Sequence, residues 1–416
     1  MKSPRLPGAG LLGRARNNFA YLAAFCMDLA LGAGLIALNY LAKDSYRASP
    51  GQLGTMALLS AGVYFGSSLV FGRLSDRWGR RPSITTGCLL AAAAFAAGSR
   101  ASSLGQIYLL AAVTAAAMGF VWPALEADIS DNASPRQLPG RIGRFNVAWC
   151  TGFAVTGLSA GTLCQLLGHR VVLLAVGGIA LATTFVFLGR TFDTADETPG
   201  PAEPPECPSL RMPGGAVVFW KVALLLNFAA MGANATLRYH VPTVTGGARS
   251  ALGGTYLTVL FSAQTITFLF LGRWHGWHYR AWPLAAASGL IAGGGLLCFL
   301  GPSSIPVFTA GCALSGVGCG LVYNSSIYYS VASESAKGHR GGIHESVLAL
   351  GAAVVPYLGG LIAMLPVLAG RAEMRKGMPF LTAAAFMLLA FLAGFGILLR
   401  GSSSVPVPVE EAPDRS

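Results

Sequence analysis

The sequence predicts an all-α membrane protein with twelve transmembrane helices in two pseudo-symmetric six-helix bundles. Three observations predict this class: a low content of charge, twelve long apolar runs, and a repeat between the two halves of the chain. Of the 416 residues, 53% are hydrophobic and 11% are charged, against roughly 25% charged in soluble proteins. So much apolar surface requires lipid, and the 54 glycines allow helices to pack closely.

Twelve apolar runs are long enough to cross a bilayer, whose core of about 30 Å requires roughly 20 helical residues. The first run is long enough to span and lacks a clear cleavage site, so we interpret it as a helix and not as a signal peptide. The predicted spans are 18–42, 52–72, 82–99, 104–127, 143–165, 170–189, 216–240, 252–272, 281–300, 305–329, 343–366 and 378–399.

A Pro-rich and acidic stretch at 190–215 has too little apolar content to fold alone. It predicts a linker between an N-terminal bundle at 18–189 and a C-terminal bundle at 216–400. Residues 1–17 and 401–416 are then terminal segments on the same side of the bilayer as the linker.

Basic residues give the chain a net charge of +12, but they lie in short loops and form no patch or tail, so we exclude nucleic acid as a partner. About twice as many Lys and Arg residues fall on one side of the bilayer as on the other. The positive-inside rule then places both termini in the cytoplasm and the chain in the plasma or inner membrane. The cysteines form no CxxC pair, so we expect no metal or other cofactor, and we expect a monomer.

The two halves of the chain resemble each other at an offset of about 200 residues. Phe71–Arg73 corresponds to Leu271–Arg273, and Gly119 corresponds to Gly320. Gly152, Gly157 and Gly161 correspond to Gly351, Pro356 and Gly360. Because paired repeats around a central site are the usual plan of secondary transporters, the repeat predicts alternating access for a small organic solute.

A polar stripe runs along one face of the first span and includes Asp28 and Asn39. The equivalent face of the seventh span carries Asn227, Asn234 and Arg238. We interpret the two stripes as the lining of one central cavity, with helix–helix hydrogen bonding in a packed bundle as the alternative. Arg238 either binds an anionic group there or extends outward from the end of its helix. Further candidates for the cavity are Gln264, Tyr323, Asn324 and Tyr328.

Asp28 is the first candidate for proton coupling or substrate binding. It lies about ten residues into its helix, or roughly 15 Å deep at 1.5 Å per residue. A carboxylate at that depth costs several kcal/mol unless it is protonated, paired or hydrated. The alternative is a carboxyl group that is hydrogen-bonded to neighbouring helices.

The segment FGRLSDRWGRRP between the second and third spans resembles the loop motif of the major facilitator superfamily at that position. Its motif residues are Gly72, Asp76, Arg77, Gly79, Arg80 and Arg81. With the six-plus-six layout, the resemblance covers about residues 15–400. It implies the major facilitator fold and secondary transport, here driven by protons through Asp28, with export slightly favoured. Uptake of a sugar or organic acid is the alternative, and a non-transporting sensor or scaffold is a third.

The charges at this predicted cytoplasmic face suggest a gate. Glu126 and Asp128 end the fourth span, and opposite charges at a partly buried seam can hold two helices together. The alternative is a solvated cluster of loop charges, worth about 0–1 kcal/mol per pair. The resemblance places Asp76 at the start of the eleventh helix, where the positive helix end favours a carboxylate. Arg141 and Arg144 join the arginines of the motif as possible partners.

His344 and Glu345 begin the eleventh span, and we interpret them as interfacial, with titration or substrate contact as the alternative. We expect no enzyme. The pattern G-x-S-x-G at Gly157–Gly161 lies in the middle of a helix rather than at a strand-to-helix elbow, so close helix packing explains it better.

Overall fold

The computed structural model describes residues 8–48, 50–131, 133, 137–189, 214–245, 250–274, 276–332 and 337–401. These ranges form twelve α-helices and, apart from a π-turn at Leu41–Ser45 and a 3-10 turn at Pro366–Leu368, only loops. The helices are α1 Gly8–Tyr40, α2 Pro50–Trp78, α3 Arg80–Gly98, α4 Leu104–Ser130, α5 Leu138–Leu167, α6 His169–Gly189, α7 Gly214–Thr245, α8 Ser250–Leu271, α9 Ala281–Leu300, α10 Ile305–Val331, α11 Lys337–Ala363 and α12 Ala372–Gly401.

Twelve helices confirm the predicted all-α membrane architecture. Over the described ranges, ten of them are long and apolar enough to cross a bilayer. The helices α2 and α3 do not meet this criterion of length and apolar composition, and they carry the charged motif at their junction. The predicted linker lies outside the described residues except for its last two, which begin α7.

Several helices begin earlier than the predicted spans, and α1 and α11 are two of them. The first starts at Gly8 instead of residue 18, and α11 starts at Lys337 instead of residue 343. Apolar runs mark where a chain enters lipid, whereas helical hydrogen bonding extends into the polar flanks. As a result, His344 lies two turns inside α11 and not at its start.

The turn between α2 and α3 explains one glycine of the motif. Gly79 has φ +92°, a left-handed conformation that residues with a Cβ rarely adopt. It lets α2 end at Trp78 and α3 begin at Arg80 without an intervening loop. Both helices therefore present their charged ends at the same end of the bundle, here called the motif end.

Helix contacts repeat between the halves as the sequence offset predicts. Gly152 of α5 packs on α1 at Phe25 and Leu29, and Gly351 of α11 packs on α7 at Phe228, the counterpart of Leu29. A second pair of contacts repeats in the same way. Gly119 of α4 touches Ser67 of α2, and Gly320 of α10 touches Thr267 of α8.

Two pairs of helices make the most extensive contacts between the halves. One is the polar seam, where α2 meets α11 between Tyr64 and Asp76. The other is the aromatic seam, where α5 meets α8 between Gly143 and Gly157. A Cβ on Gly72 would lie 2.5 Å from the carbonyl oxygen of Gly338, and one on Gly143 would lie 2.7 Å from the Cα of Gly272. Glycine therefore permits both close approaches.

Candidate functional site

Asp76 caps α11 at the motif end. Its carboxylate accepts hydrogen bonds from the backbone N–H groups of Gly338 and His339, each at 3.0 Å. The side chain of Arg80 donates to the same carboxylate at 2.7 Å. The position matches the one that the family resemblance implies, and it joins the two halves through the positive end of a helix. A gating role for Asp76 stays a prediction.

A second ion cluster surrounds Asp131, a residue that the sequence analysis missed. Arg80 Nε lies 3.2 Å and Lys337 Nζ 3.8 Å from its carboxylate oxygens. Since Arg80 belongs to α3 and Lys337 begins α11, Asp131 ties the halves together. The acidic run that ends the fourth span could have indicated it.

Three other predicted arginines at this end contact neighbouring segments of their own half. Arg81 donates to the carbonyl oxygen of Leu188 at 2.8 Å, and Arg141 donates to the carbonyl oxygen of Asp131 at 3.2 Å. Arg144 lies over the ring of Tyr21, 5.6 Å from its centroid. Arg77 is exposed.

Glu126 and Asp128 are buried, at 0% and 5% exposure, so the alternative of a solvated loop cluster is wrong for both. The expected pairing of Glu126 with motif arginines is also not what the structure shows. Its carboxylate faces His344 instead, because α4 runs against α11 one turn deeper than the arginine layer.

Glu126, His344 and Glu345 form one buried group, here called the carboxylate–histidine cluster. His344 Nε2 lies 3.7 Å from Oε1 of Glu126 and 3.6 Å from Oε1 of Glu345. The exposures of His344 and Glu345 are 0% and 3%, so our interpretation of these two residues as interfacial was wrong. Tyr64 of α2 donates a hydrogen bond to Oε2 of Glu345.

Asp28 lies deeper in the bundle and is 4% exposed. Its Cβ faces Gly152 of α5, where a Cβ would lie 3.3 Å away. Two charged groups act on it electrostatically, Arg238 of α7 and Glu345 of α11. The polar stripe of α1 therefore faces charged side chains of the opposite half.

Arg238 points into the bundle and does not extend away from it. Its guanidinium lies over the ring of Phe153, 5.7 Å from the centroid. The Nε atom is buried and has no hydrogen-bond partner among the described residues. A buried donor without a partner is costly, so this atom is free for a polar ligand or water.

Aromatic rings separate Arg238 from the carboxylate–histidine cluster. Phe153 stacks on Phe261 with centroids 5.0 Å apart, and Trp149 packs against Tyr323 at 5.1 Å. Tyr323 in turn meets the ring of His344 edge-on at 5.0 Å. The flat faces suit an organic group better than a hydrated ion.

Buried amides lie on α7 and α8, and those of α7 lie between its motif end and Arg238. Asn234 donates to Oε1 of Gln264 at 3.3 Å. Nε2 of Gln264, Oδ1 of Asn234 and both polar atoms of Asn227 are buried without hydrogen-bond partners in the described chain. Saturated helix–helix hydrogen bonding would leave few such atoms, so these amides favour a binding site over the packed-bundle alternative.

Three predicted candidates lie elsewhere. Asn324 accepts a hydrogen bond from Asn146 of α5 at 3.0 Å, which joins the halves. Tyr328 stacks on His278 and packs on Trp277, in the loop between α8 and α9. Asn39 is half-buried, in the last turn of α1.

Sequence reasoning missed Asn146 and Tyr64. Asn146 lies only three residues into the predicted fifth span and close to Arg144, so the depth criterion that selected Asp28 does not find it. Tyr64 carries no signal either, because tyrosine is ordinary in a membrane helix.

Comparisons with known proteins agree with this architecture. The sequence-family model described as Major Facilitator Superfamily matches residues 20–356 of this chain. The human organic anion transporter MFSD10 (TETRAN) has a similar fold, with a TM-score of 0.68 and 17% identity over 95% of this chain and 100% of that one.

Two curated relatives match over shorter stretches. An uncharacterised MFS-type transporter of Mycobacterium tuberculosis is 30% identical over 127 residues, which are 30% of this chain and 29% of that protein. Human solute carrier family 67 member A1 is 33% identical over 102 residues, which are 24% of each chain. The chain thus spans less than a third of the length of these relatives. Because the family model covers most of the sequence and the fold agrees, this chain belongs to the Major Facilitator Superfamily and is an integral membrane protein.

Proposed function

We propose that this transporter carries a small organic anion together with protons. The observation that carries the proposal is the buried Nε atom of Arg238, which has no hydrogen-bond partner among the described residues. Asp28 is a buried carboxyl group of the opposite half, 4% exposed, that can hold a proton. The fold is shared with a protein described as an organic anion transporter, which supports an anion as the substrate class.

Protons couple to the anion through charge balance. A substrate carboxylate on Arg238 places two negative charges beside one positive charge in a low-dielectric environment. One proton on Asp28 restores neutrality, so anion and proton are favoured together. Both then move in the same direction, which gives symport. This geometry favours uptake of an organic acid, the alternative of the sequence analysis, over the export that the family resemblance favours.

The neighbouring side chains suit the rest of such a substrate. The faces of Phe153 and Trp149 offer an apolar platform, and the free amide of Gln264 offers a hydrogen-bond donor. An aromatic or aliphatic carboxylate with one further polar group matches this set.

A transport assay tests the proposal. Thermal-shift screening against organic anions identifies a ligand, and proteoliposomes then report its accumulation under an inward proton gradient. Asp28→Asn should abolish gradient-driven accumulation but keep exchange of labelled for unlabelled substrate. Arg238→Gln should weaken binding by about 10- to 100-fold, since a hydrogen bond to a charged group contributes about 1.5–3 kcal/mol.

The matched control is Glu373→Gln, which changes an exposed carboxylate on α12 and should alter neither property. Unchanged gradient-driven accumulation in Asp28→Asn would show that protons couple elsewhere or not at all.

Exchange of an organic cation for protons is the second candidate. It is favoured by the presence of three buried carboxylates in the bundle, those of Asp28, Glu126 and Glu345. The pH dependence of affinity separates the two candidates. An anion that binds with a proton loses affinity as the pH rises, whereas a cation that competes with protons gains it.

The cellular arrangement is also a proposal. We place both termini on the cytoplasmic side of the plasma or inner membrane, supported by the bias of Lys and Arg in the loops. We expect the protein to act as a monomer without enzymatic activity. Protease accessibility of each terminus in sealed, oriented vesicles tests the topology.

A further inference from the structure

The carboxylate–histidine cluster offers three metal-ligand atoms in one place. The carboxylates of Glu126 and Glu345 and the imidazole of His344 have donor atoms within 4.8 Å of one another. Glu126 belongs to α4, and the other two belong to α11. The cluster therefore spans the two halves of the transporter, well apart from Arg238.

The distances between donors suit one small cation. Bonds from Zn²⁺ to imidazole nitrogen and carboxylate oxygen are about 2.0–2.2 Å, so two ligand atoms of a tetrahedral site lie about 3.4 Å apart. The distances from His344 Nε2 to the two carboxylates are 3.7 and 3.6 Å. Small rotations of the side chains would bring all three donors into bonding distance.

The donor atoms themselves are unused. Both carboxylate oxygens of Glu126 and Nε2 of His344 are buried without hydrogen-bond partners in the part of the chain that the structure describes. Glu126 and His344 are each 0% exposed, so bulk water does not satisfy them. Buried acceptors of this kind require a proton, a cation or an ordered water.

Surrounding side chains orient the ligands as in known metal sites. Ser326 lies 2.9 Å from Nδ1 of His344, on the side of the ring away from the cluster. Tyr64 holds the second oxygen of Glu345, which directs the first oxygen toward His344. Such outer contacts fix the rotamers of metal ligands and are typical of functional metal sites.

A glycine makes room for the carboxylate of Glu126. A Cβ on Gly341 would lie 2.9 Å from Oε2 of Glu126. A larger residue on this turn of α11 would push the carboxylate away from His344. The space beside the donors therefore depends on a residue without a side chain.

We propose that Glu126, His344 and Glu345 bind one divalent transition-metal ion, which clamps α4 to α11 and stabilises closure of the motif end. One nitrogen and two oxygen donors suit Zn²⁺, Mn²⁺ or Co²⁺. The proposal differs from our expectation of no metal, which rested on the cysteine pattern. It uses none of the residues assigned to the organic anion and its proton, so either of these two proposals can fail without the other.

Metal titration of the purified full-length transporter tests the site. After chelation and removal of the chelator, Co²⁺ is added and its visible absorption is recorded, and Zn²⁺ is then used to displace it. The wild type should bind one Co²⁺ per chain with the intense spectrum of a low-symmetry site. Glu126→Gln and His344→Gln should each weaken binding by more than about tenfold, and Ser326→Ala by about 10- to 100-fold.

Glu373→Gln is the matched control, because it makes the same chemical change at an exposed carboxylate and should bind Co²⁺ like the wild type. Size-exclusion profiles establish that each variant is folded. Failure of the folded wild type to bind Co²⁺ or Zn²⁺ would overturn the proposal. Equal binding by wild type and Glu126→Gln would do the same, since the metal would then lie elsewhere.

Hydrogen exchange tests the clamp separately. Zn²⁺ should slow amide exchange at least severalfold in residues 338–346 of the wild type, and not in Glu126→Gln. Binding of one metal ion without any change in this segment would contradict the clamp.

Discussion

The two seams between the halves share a backbone plan but differ in chemistry. At the motif end, Gly72 meets Gly342 in the polar seam, and Gly143 meets Gly272 in the aromatic seam. These contacts are counterparts under the sequence offset. The polar seam continues through Asp76, Ser68 and Tyr64, whereas the aromatic seam continues through stacked rings.

The difference begins at one position. The carboxylate of Asp76 caps α11, but its counterpart in the second half is Gly276, which has no side chain to cap α5. Apolar contacts in the aromatic seam respond little to charge or salt. The polar seam, by contrast, depends on ion pairs and capped amides, so protons and ions can alter its stability. We infer that protons and ions change the stability of the polar seam, whereas the stability of the aromatic seam stays nearly constant.

Overpacking should affect both seams equally and give the largest effect. Gly72→Ala and Gly143→Ala each insert a Cβ within 3.0 Å of backbone atoms of the partner helix, which costs about 1–3 kcal/mol. Both variants should lower the apparent melting temperature by several degrees. Gly62→Ala is the control, because a Cβ there meets nothing within 4 Å. A drop in Gly62→Ala of the same size would show that the close approaches are not the cause, since alanine otherwise favours a helix over glycine.

Removing the charge of the cap should weaken only the polar seam. Asp76→Asn keeps the shape but loses charge-assisted hydrogen bonds to Gly338 and His339, which contribute about 1.5–3 kcal/mol. Transport should fall because the motif end closes less often, while substrate affinity stays nearly unchanged. Uptake kinetics in proteoliposomes measure both quantities. A large loss of affinity with normal turnover would assign Asp76 to the substrate site instead.

The ion pair of Arg80 and Asp131 should contribute less. Both side chains are partly exposed, so a double-mutant cycle with Arg80→Gln and Asp131→Asn should give a coupling energy of about 0.2–1 kcal/mol. Thermal unfolding of the four proteins measures it. A coupling energy near zero would leave the capped amides as the main attraction in the polar seam.

Salt should have the smallest effect. Raising the ionic strength from about 0.1 M to about 1 M shortens the Debye length from about 10 Å to about 3 Å. Amide exchange should quicken slightly at the start of α11 and stay constant in the last turns of α8. A salt response of equal size in α8 would remove the distinction between the seams.

Much of the fold could be predicted from the sequence, because membrane helices are signalled locally by apolar runs. The start of α11 could not, since its polar first turn is stabilised by Asp76 from another helix. Sequence alone contains no local trace of such a cap. The contact of Asp76 with α11 was implied only by the resemblance of the motif to that of the family.

Some of the candidate site residues could likewise be predicted from the sequence, and others could not. Asp28 and Arg238 could be found because each interrupts an apolar face, and the repeat aligns them with the polar residues Asn227 and Asn39. The carboxylate–histidine cluster could not, because Glu126 and His344 meet only when α4 packs on α11. Each residue alone looked like the polar end of a span.

Hydrogen exchange of Asp76→Asn against the wild type tests the distinction between the seams most directly. We predict faster exchange in residues 338–346 of the polar seam and unchanged exchange in residues 266–272 of the aromatic seam. Equal acceleration in both segments, or none in residues 338–346, would contradict the account.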